Sequence, residues 1–80
     1  MDPKEDKLLD ARGLLCPMPV VKADKEMKSL EPGQVLKILA TDRGSIADMP
    51  AWAEDTGNEL LDWHEEHGVL VFIVRKGAGE

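Results

Sequence analysis

The sequence predicts an α+β domain, a two-layer α/β sandwich in the order β-α-β-α-β-β. Two helices should pack on one face of a four-stranded mixed sheet. Three observations carry this expectation. Apolar residues recur at helical spacing after a short first strand-like run. A nearly continuous apolar run follows. The chain then closes on two strand-like runs separated by a turn.

The chain has 80 residues, which suits one domain over residues 1–80 with its ordered core at about residues 7–76. Residues 1–6 are polar and read as a frayed start. Residues 7–11 (KLLDA) are short and mixed and read as the first strand, which Arg12 and Gly13 end. Residues 20–30 form the first helix. Val20, Ala23, Met27 and Leu30 fall on one face, and Lys25 and Lys28 sit near the C-terminal end, where the helix dipole favours them. Glu31-Pro32-Gly33 is a stop signal.

Residues 35–41 (VLKILAT) read as a strand buried on both faces or nearly so. Ser45-Ile46-Ala47-Asp48 is similar to a capping box with Asp in place of Glu, so a second helix should run over residues 45–56 and end at Gly57. Pro50 is its weak point and should tighten or kink its start. Residues 59–65 form the third strand, with Leu61 and Trp63 on one face. Glu66-His67-Gly68 is a turn. Residues 69–76 form the fourth strand, with Val69, Val71 and Ile73 opposite Leu70, Phe72 and Val74. Residues 77–80 read as a tail.

The first strand, first helix and second strand should make a right-handed crossover with parallel strands. The loop holding Cys16 and the loop 42–45 then both follow carboxyl ends of parallel strands. Ligand and reaction sites favour that edge.

Composition narrows the function. The net charge of −6 argues against a nucleic-acid backbone or an anionic membrane as direct ligand, since both reward an excess of Lys and Arg. An acidic surface suits a basic partner, but more often serves solubility. No apolar run approaches a membrane span and the N-terminus is not signal-like, so a cytoplasmic location is expected. One cysteine cannot close an internal disulfide, and no metal site or cofactor is expected.

That cysteine stands in Gly13-Leu14-Leu15-Cys16-Pro17-Met18-Pro19. A lone cysteine is ordinarily a small buried hydrophobe. Here a glycine precedes it and two prolines follow it, which marks a loop-to-helix junction. Residues before prolines avoid the helical region, so Cys16 and Met18 should be extended and Pro19 should be the first helical residue. The thiol would then project beyond the helix end, near the free N–H groups of Val20 and Val21. Their field lowers a thiol pKa slightly. Arg43 should add to that effect and Asp42 oppose it.

A hydrolytic cysteine enzyme needs a positioned base. His64 and His67 are the only histidines, and their turn is expected to lie away from the cysteine edge. A two-cysteine oxidoreductase is excluded within one chain. What remains for an exposed thiol is covalent carriage of a group from one partner to another.

Asp10-Ala11-Arg12-Gly13-Leu14-Leu15-Cys16-Pro17-Met18-Pro19 resembles the signature of the TusA-like (also called SirA-like) sulfur-carrier proteins. The resemblance spans residues 7–76 and includes the Asp42 loop, Asp48-Met49-Pro50 and Arg75-Lys76-Gly77. It implies the sandwich above and relay of sulfane sulfur as a cysteine persulfide, from a desulfurase or rhodanese to an acceptor protein. Cys16 would be the carrier, and Gly13, Pro17 and Pro19 would shape its loop. Asp10, Arg12, Met18, Asp42 and Arg43 are candidate neighbours or partner contacts. The expected partners are donor and acceptor proteins, with no nucleic acid and no membrane, and the free chain is expected to be a monomer.

Family destinations include tRNA thiolation, molybdenum-cofactor synthesis and sulfur oxidation. Two positions depart from the family: Arg43 stands where many members have proline, and Ala53 where some have a second cysteine. The competing reading, from another class, is a regulatory interaction module in which Cys16 is redox-sensitive or structural. RNA binding by a small α/β domain is disfavoured by the acidic charge.

Overall fold

The computed structural model describes residues 5–77. Its elements are β1 (Lys7–Ala11), α1 (Met18–Lys28), β2 (Val35–Ala40), α2 (Ser45–Asp55), β3 (Glu59–Glu66) and β4 (Val69–Arg75), the expected order. The sheet runs β1-β2-β4-β3. β1 and β2 are parallel, and β4 is antiparallel to both its neighbours.

Period-two alternation decides what each face of the sheet buries. Leu9, Ala11, Leu36, Ile38, Ala40, Leu70, Phe72 and Val74 share one core with Ala23, Met27, Met49, Trp52 and Ala53 of the two helices. Val35, Val71 and Ile73 form a smaller cluster with Leu39, Leu61 and Val69 and with no helix residue. Both helices therefore cover one face. Each side of β4 carries the residues expected of it. Among the described residues no helix is long and apolar enough to cross a membrane.

Several local expectations need correction. Residues 1–4 and 78–80 lie outside the described residues, but Asp6 is not frayed. Its N–H donates to the Val35 carbonyl and its carboxylate accepts the Val35 N–H, each at 2.8 Å. Gly77 is likewise fixed, its N–H donating to Asn58 Oδ1 at 2.9 Å. The α1 helix begins at Met18, with Pro19 in its first turn. Pre-proline sterics are a bias that hydrogen bonds can outweigh. Here Met18 N–H donates to the Leu15 carbonyl and Val21 N–H to the Pro17 carbonyl.

At α2 the capping box is absent. Gly44 is the N-cap, with no side-chain cap, and Ser45 is already helical and buried. Backbone bonds from Ser45, Ile46 and Ala47 to carbonyls three residues back tighten this first turn. The helix continues through Pro50, whose ring nitrogen donates nothing to the Ile46 carbonyl. It ends as expected at Gly57. Gly57 N–H donates to Glu54 and Asn58 N–H to Ala53, a Schellman pair that needs the positive φ of 75° at Gly57.

Two corrections concern the hairpin. The register slips between Leu60 and Asp62, so Leu61 is an extra residue in β3. Trp63 therefore does not share a face with Leu61. It pairs with Phe72 on the helix side, their rings stacked at 5.9 Å. The turn at His67 and Gly68, both with positive φ, also lies at the cysteine edge, not away from it. β4 is antiparallel to β2, and Leu70 at its start pairs with Ala40 at the end of β2.

Candidate functional site

β1 and β2 end side by side, Ala11 paired with Ala40, and each feeds a loop that leads into a helix. The first loop opens with a turn closed by Leu14 N–H on the Ala11 carbonyl, with Gly13 at φ +82° in its third position. That position requires a left-handed residue, which a Cβ would strain. Gly13 N–H donates to Thr41 Oγ1 at 2.8 Å, which ties the first loop to the second.

A second turn follows at once. Leu15 to Met18 closes through the Met18 N–H, and the Cys16–Pro17 peptide within it is cis. Cys16 is thus the second residue of that turn. Its N–H donates to Asp42 Oδ2 at 3.0 Å, so the second loop grips the first at the cysteine itself. Cys16 is exposed, at the start of α1 and on the edge it shares with loop 42–45. The buried ring of Pro19 anchors the first turn of α1, while Pro17 is exposed beside the sulfur.

The thiol has a partner that the sequence did not disclose. Cys16 Sγ–H donates to Asp48 Oδ2 at 3.1 Å from the first turn of α2. The hydrogen bond to Asp48 raises the thiol pKa above its ordinary value, and desolvation and the charges of Asp48 and Asp42 push the same way. This reverses the expected lowering. Of the two donors expected near it, Val21 N–H is spent on the Pro17 carbonyl, and Pro19 in the same turn has none. Arg43 makes no bond to the sulfur either. Its guanidinium pairs with Glu65 of β3 at 2.9 Å.

Beside the sulfur runs a groove of about 560 Å³ between the helices, lined by Cys16, Pro17, Val20, Asp48, Ala51 and Trp52 among others. Trp52 is buried along its floor and its Nε1–H donates to Asp24 Oδ1 at 3.1 Å, which ties α2 to α1. That bond is the main reason the Asp24 carboxyl lies below its usual pKa. A second cavity of about 470 Å³, by Met27, Lys28 and Asn58, contains no thiol. Leu15, Met18 and Val21 are 73%, 41% and 50% exposed, so the thiol emerges from an apolar rim.

The remaining candidates sit farther out. Asp10 and Arg12 form a two-pronged ion pair, Nε to Oδ1 and a terminal nitrogen to Oδ2, both at 2.8 Å. The pair holds the Asp10 carboxyl down at about 2. It satisfies itself at the end of β1 and makes no hydrogen bond to Cys16. His64 pairs opposite Val71, on the sheet face away from the helices, and faces Asp62 and Glu66 at 4.0 and 3.8 Å. Neither histidine meets the cysteine as a base. Among the described residues no three His, Cys, Asp or Glu side chains converge as metal ligands. The arrangement offers one accessible thiol, a carboxylate that holds its proton, and an open groove.

Comparison with known proteins finds the same unit elsewhere. The family model described as Sulfurtransferase TusA matches residues 7–76. The chain is 47% identical over 74 residues to YrkI of Bacillus subtilis, covering 92% of this chain and 99% of that one. It is 46% identical over 71 residues to the sulfur carrier protein TusA of Allochromatium vinosum, covering 89% and 93%. The crystal structure of a SirA-like protein from Desulfitobacterium hafniense superposes with a TM-score of 0.78 at 29% identity, covering 89% of this chain and 97% of that one.

Proposed function

We propose a sulfur-relay function from one premise: the chain belongs to the TusA sulfurtransferase family. In this reading the protein is a sulfur carrier. Cys16 takes one sulfane sulfur from a donor protein of desulfurase or rhodanese type, holds it as a persulfide, and passes it to an acceptor protein. The observation that carries the reading is the exposed Cys16 thiol at the mouth of the inter-helix groove, in a chain with no second cysteine. With no second thiol in the chain to form a disulfide, a persulfide on Cys16 is discharged by a thiol or reductant from outside the chain.

The chemistry balances without a cofactor. The Cys16 sulfur attacks the outer sulfur of the donor's R–S–S–H. A new S–S bond forms, the donor's S–S bond breaks, and the Cys16 proton ends on the donor's R–S⁻. Cys16 Sγ is oxidised and the donor's inner sulfur reduced. Release to an acceptor thiol is the same exchange in reverse order. No general base is required, which fits a site where the sulfur's hydrogen-bond partner is Asp48 and not a histidine.

The other residues take supporting roles. Gly13 sets the turn that joins the cysteine loop to Thr41. Pro17 and Pro19 shape the turn and anchor α1. Asp42 fixes the Cys16 backbone. A partner meets a preformed thiol, which lowers the ordering cost of docking. The exposed Met18, with Leu15 and Val21, supplies an apolar contact around the sulfur. The Asp10–Arg12 pair borders the same edge as a further contact. Residues 5–77 act as one unit in this role.

The test is intact mass after incubation with a desulfurase or rhodanese donor. The expected result is a gain of about one sulfur atom, reversed by reductant and absent in Cys16→Ser. Equal labelling of Cys16→Ser, or no gain with several competent donors, would put the interaction-module reading first.

A further inference from the structure

We propose that Asp48 distinguishes the empty carrier from the loaded one: its carboxylate holds Cys16 as a neutral thiol when the carrier is empty and loses that hold when a second sulfur is added. The proposal rests on the sulfur-relay reading above, and it makes Asp48 a positioning residue rather than a catalytic one.

The geometry begins with one hydrogen. Sγ–H of the empty thiol donates to Asp48 Oδ2 at 3.1 Å. A hydrogen bond to the neutral form of an acid disfavours its ionisation. In the persulfide, Sγ is bonded to Cβ and to the outer sulfur and carries no hydrogen. The donor that Asp48 engaged has gone. The acidic proton now sits on the outer sulfur, about 2.05 Å further along the chain of atoms. Asp48 then faces only the lone pairs of Sγ. Its carboxylate stabilises the empty thiol over both the thiolate and the persulfide.

The groups around the sulfur make Asp48 the deciding one. On the β2–α2 loop, Asp42 adds a second negative charge of the same sense. Arg43 on that loop pairs with Glu65 of β3, and Arg12 on the first loop pairs with Asp10 of β1. On α1, Asp24 is held by Trp52 and Lys28, and Lys22 and Lys25 bear on Glu26. Asp55 of α2 also lines the groove but makes no bond to the sulfur. Among the described residues the thiol thus meets carboxylates and no compensating cation. An empty carrier reacts slowly with alkylating agents and oxidants at neutral pH, and its loading equilibrium is tilted toward handing sulfur on.

Two measurements on the full chain test this. The first is the pH dependence of iodoacetamide alkylation of the empty protein, in the wild type, Asp48→Asn and Asp48→Ala. Both variants remove the charge, and the second guards against a disturbed first turn in the first. The midpoint is expected at lower pH in both, with alkylation at pH 7 faster by about threefold or more, since one unit of pKa is tenfold in thiolate below the midpoint. The second is the fraction of persulfide at equilibrium with a fixed ratio of glutathione persulfide to glutathione. It is expected to rise in both variants.

An unchanged alkylation midpoint overturns the proposal. So does a lowered midpoint with an unchanged loading equilibrium, because the hold would then not depend on loading. A wild type that never loads while the variants still alkylate at lower pH overturns the relay reading, and with it the loaded state, but leaves the hold on the thiol standing.

Discussion

The two helix starts at the cysteine edge are built on one plan and used in opposite ways. Each follows the carboxyl end of a parallel strand, and each begins without a side-chain cap. The α1 start has no acidic residue in its first turn and presents a thiol. The α2 start carries Asp48 in its first turn, with Asp42 just before it, and aims both at its neighbour's cysteine. A helix N-terminus favours an anion by roughly 0.3–1 kcal/mol at an exposed site. A direct hydrogen bond from the thiol to a carboxylate at 3.1 Å outweighs it here. Position at a helix start is therefore no guide to a cysteine's acidity until the facing residues are known.

The largest effect comes from unseating the acidic start. Met49 is fully buried in α2, one residue after Asp48, within the main core. Met49→Ala should destabilise the fold by about 2–5 kcal/mol through lost burial and a residual cavity. A domain of this length has roughly 4–12 kcal/mol in all. Urea unfolding followed by tryptophan fluorescence should show the midpoint falling sharply. A change below about 1 kcal/mol would mean that the start of α2 is held by its turn and not by its core contact.

A smaller effect separates grip from charge. Asp42 accepts the Cys16 N–H at 3.0 Å and adds its charge to that of Asp48. Asp42→Ala removes both. We expect a loss of about 1 kcal/mol of stability from the hydrogen bond. The alkylation midpoint should move to lower pH, by less than in Asp48→Asn, because Asp42 acts on the sulfur by charge alone. A larger movement than in Asp48→Asn would reverse the ranking of the two carboxylates.

How much of this was legible beforehand follows from the physics of each signal. Periodicity speaks for itself within one element. The buried face of α1 and both sides of β4 could be read from the spacing of Val20, Ala23 and Met27 and from strict alternation over 69–74. Topology placed Cys16 and Asp42 at one edge, because parallel strands put consecutive loops together. Contacts between elements were less legible. Asp48 was visible in the first turn of a helix at that edge, but Ser45 three residues earlier drew it into a capping role. The choice depended on Gly44 serving as N-cap, which sequence spacing does not encode. The β3 register was hidden for a similar reason: Leu60-Leu61 offers two apolar residues in a row, and only pairing with Ile73 and Val74 tells which one is extra. The hairpin's place at the cysteine edge could have been deduced, since an antiparallel β4 beside β2 starts where β2 ends.

The smallest expected effect sharpens the comparison most cleanly. Arg43 sits between Asp42 and the N-cap Gly44, and by position alone it should favour a thiolate on Cys16. The structure turns it to Glu65, with the two side chains 64% and 41% exposed. An exposed pair of this kind contributes 0–1 kcal/mol at most. A guanidinium engaged by Glu65 has part of its charge offset there, which weakens its pull on a thiolate at Cys16. Arg43→Ala should change stability by under about 1 kcal/mol and leave the alkylation midpoint of Cys16 where it is in the wild type. In the same assay Asp48→Asn should move it. If Arg43→Ala instead shifts the midpoint upward, Arg43 leaves Glu65 in solution and works against the two carboxylates, and the α2 start is less uniformly acidic toward the thiol than its contacts make it.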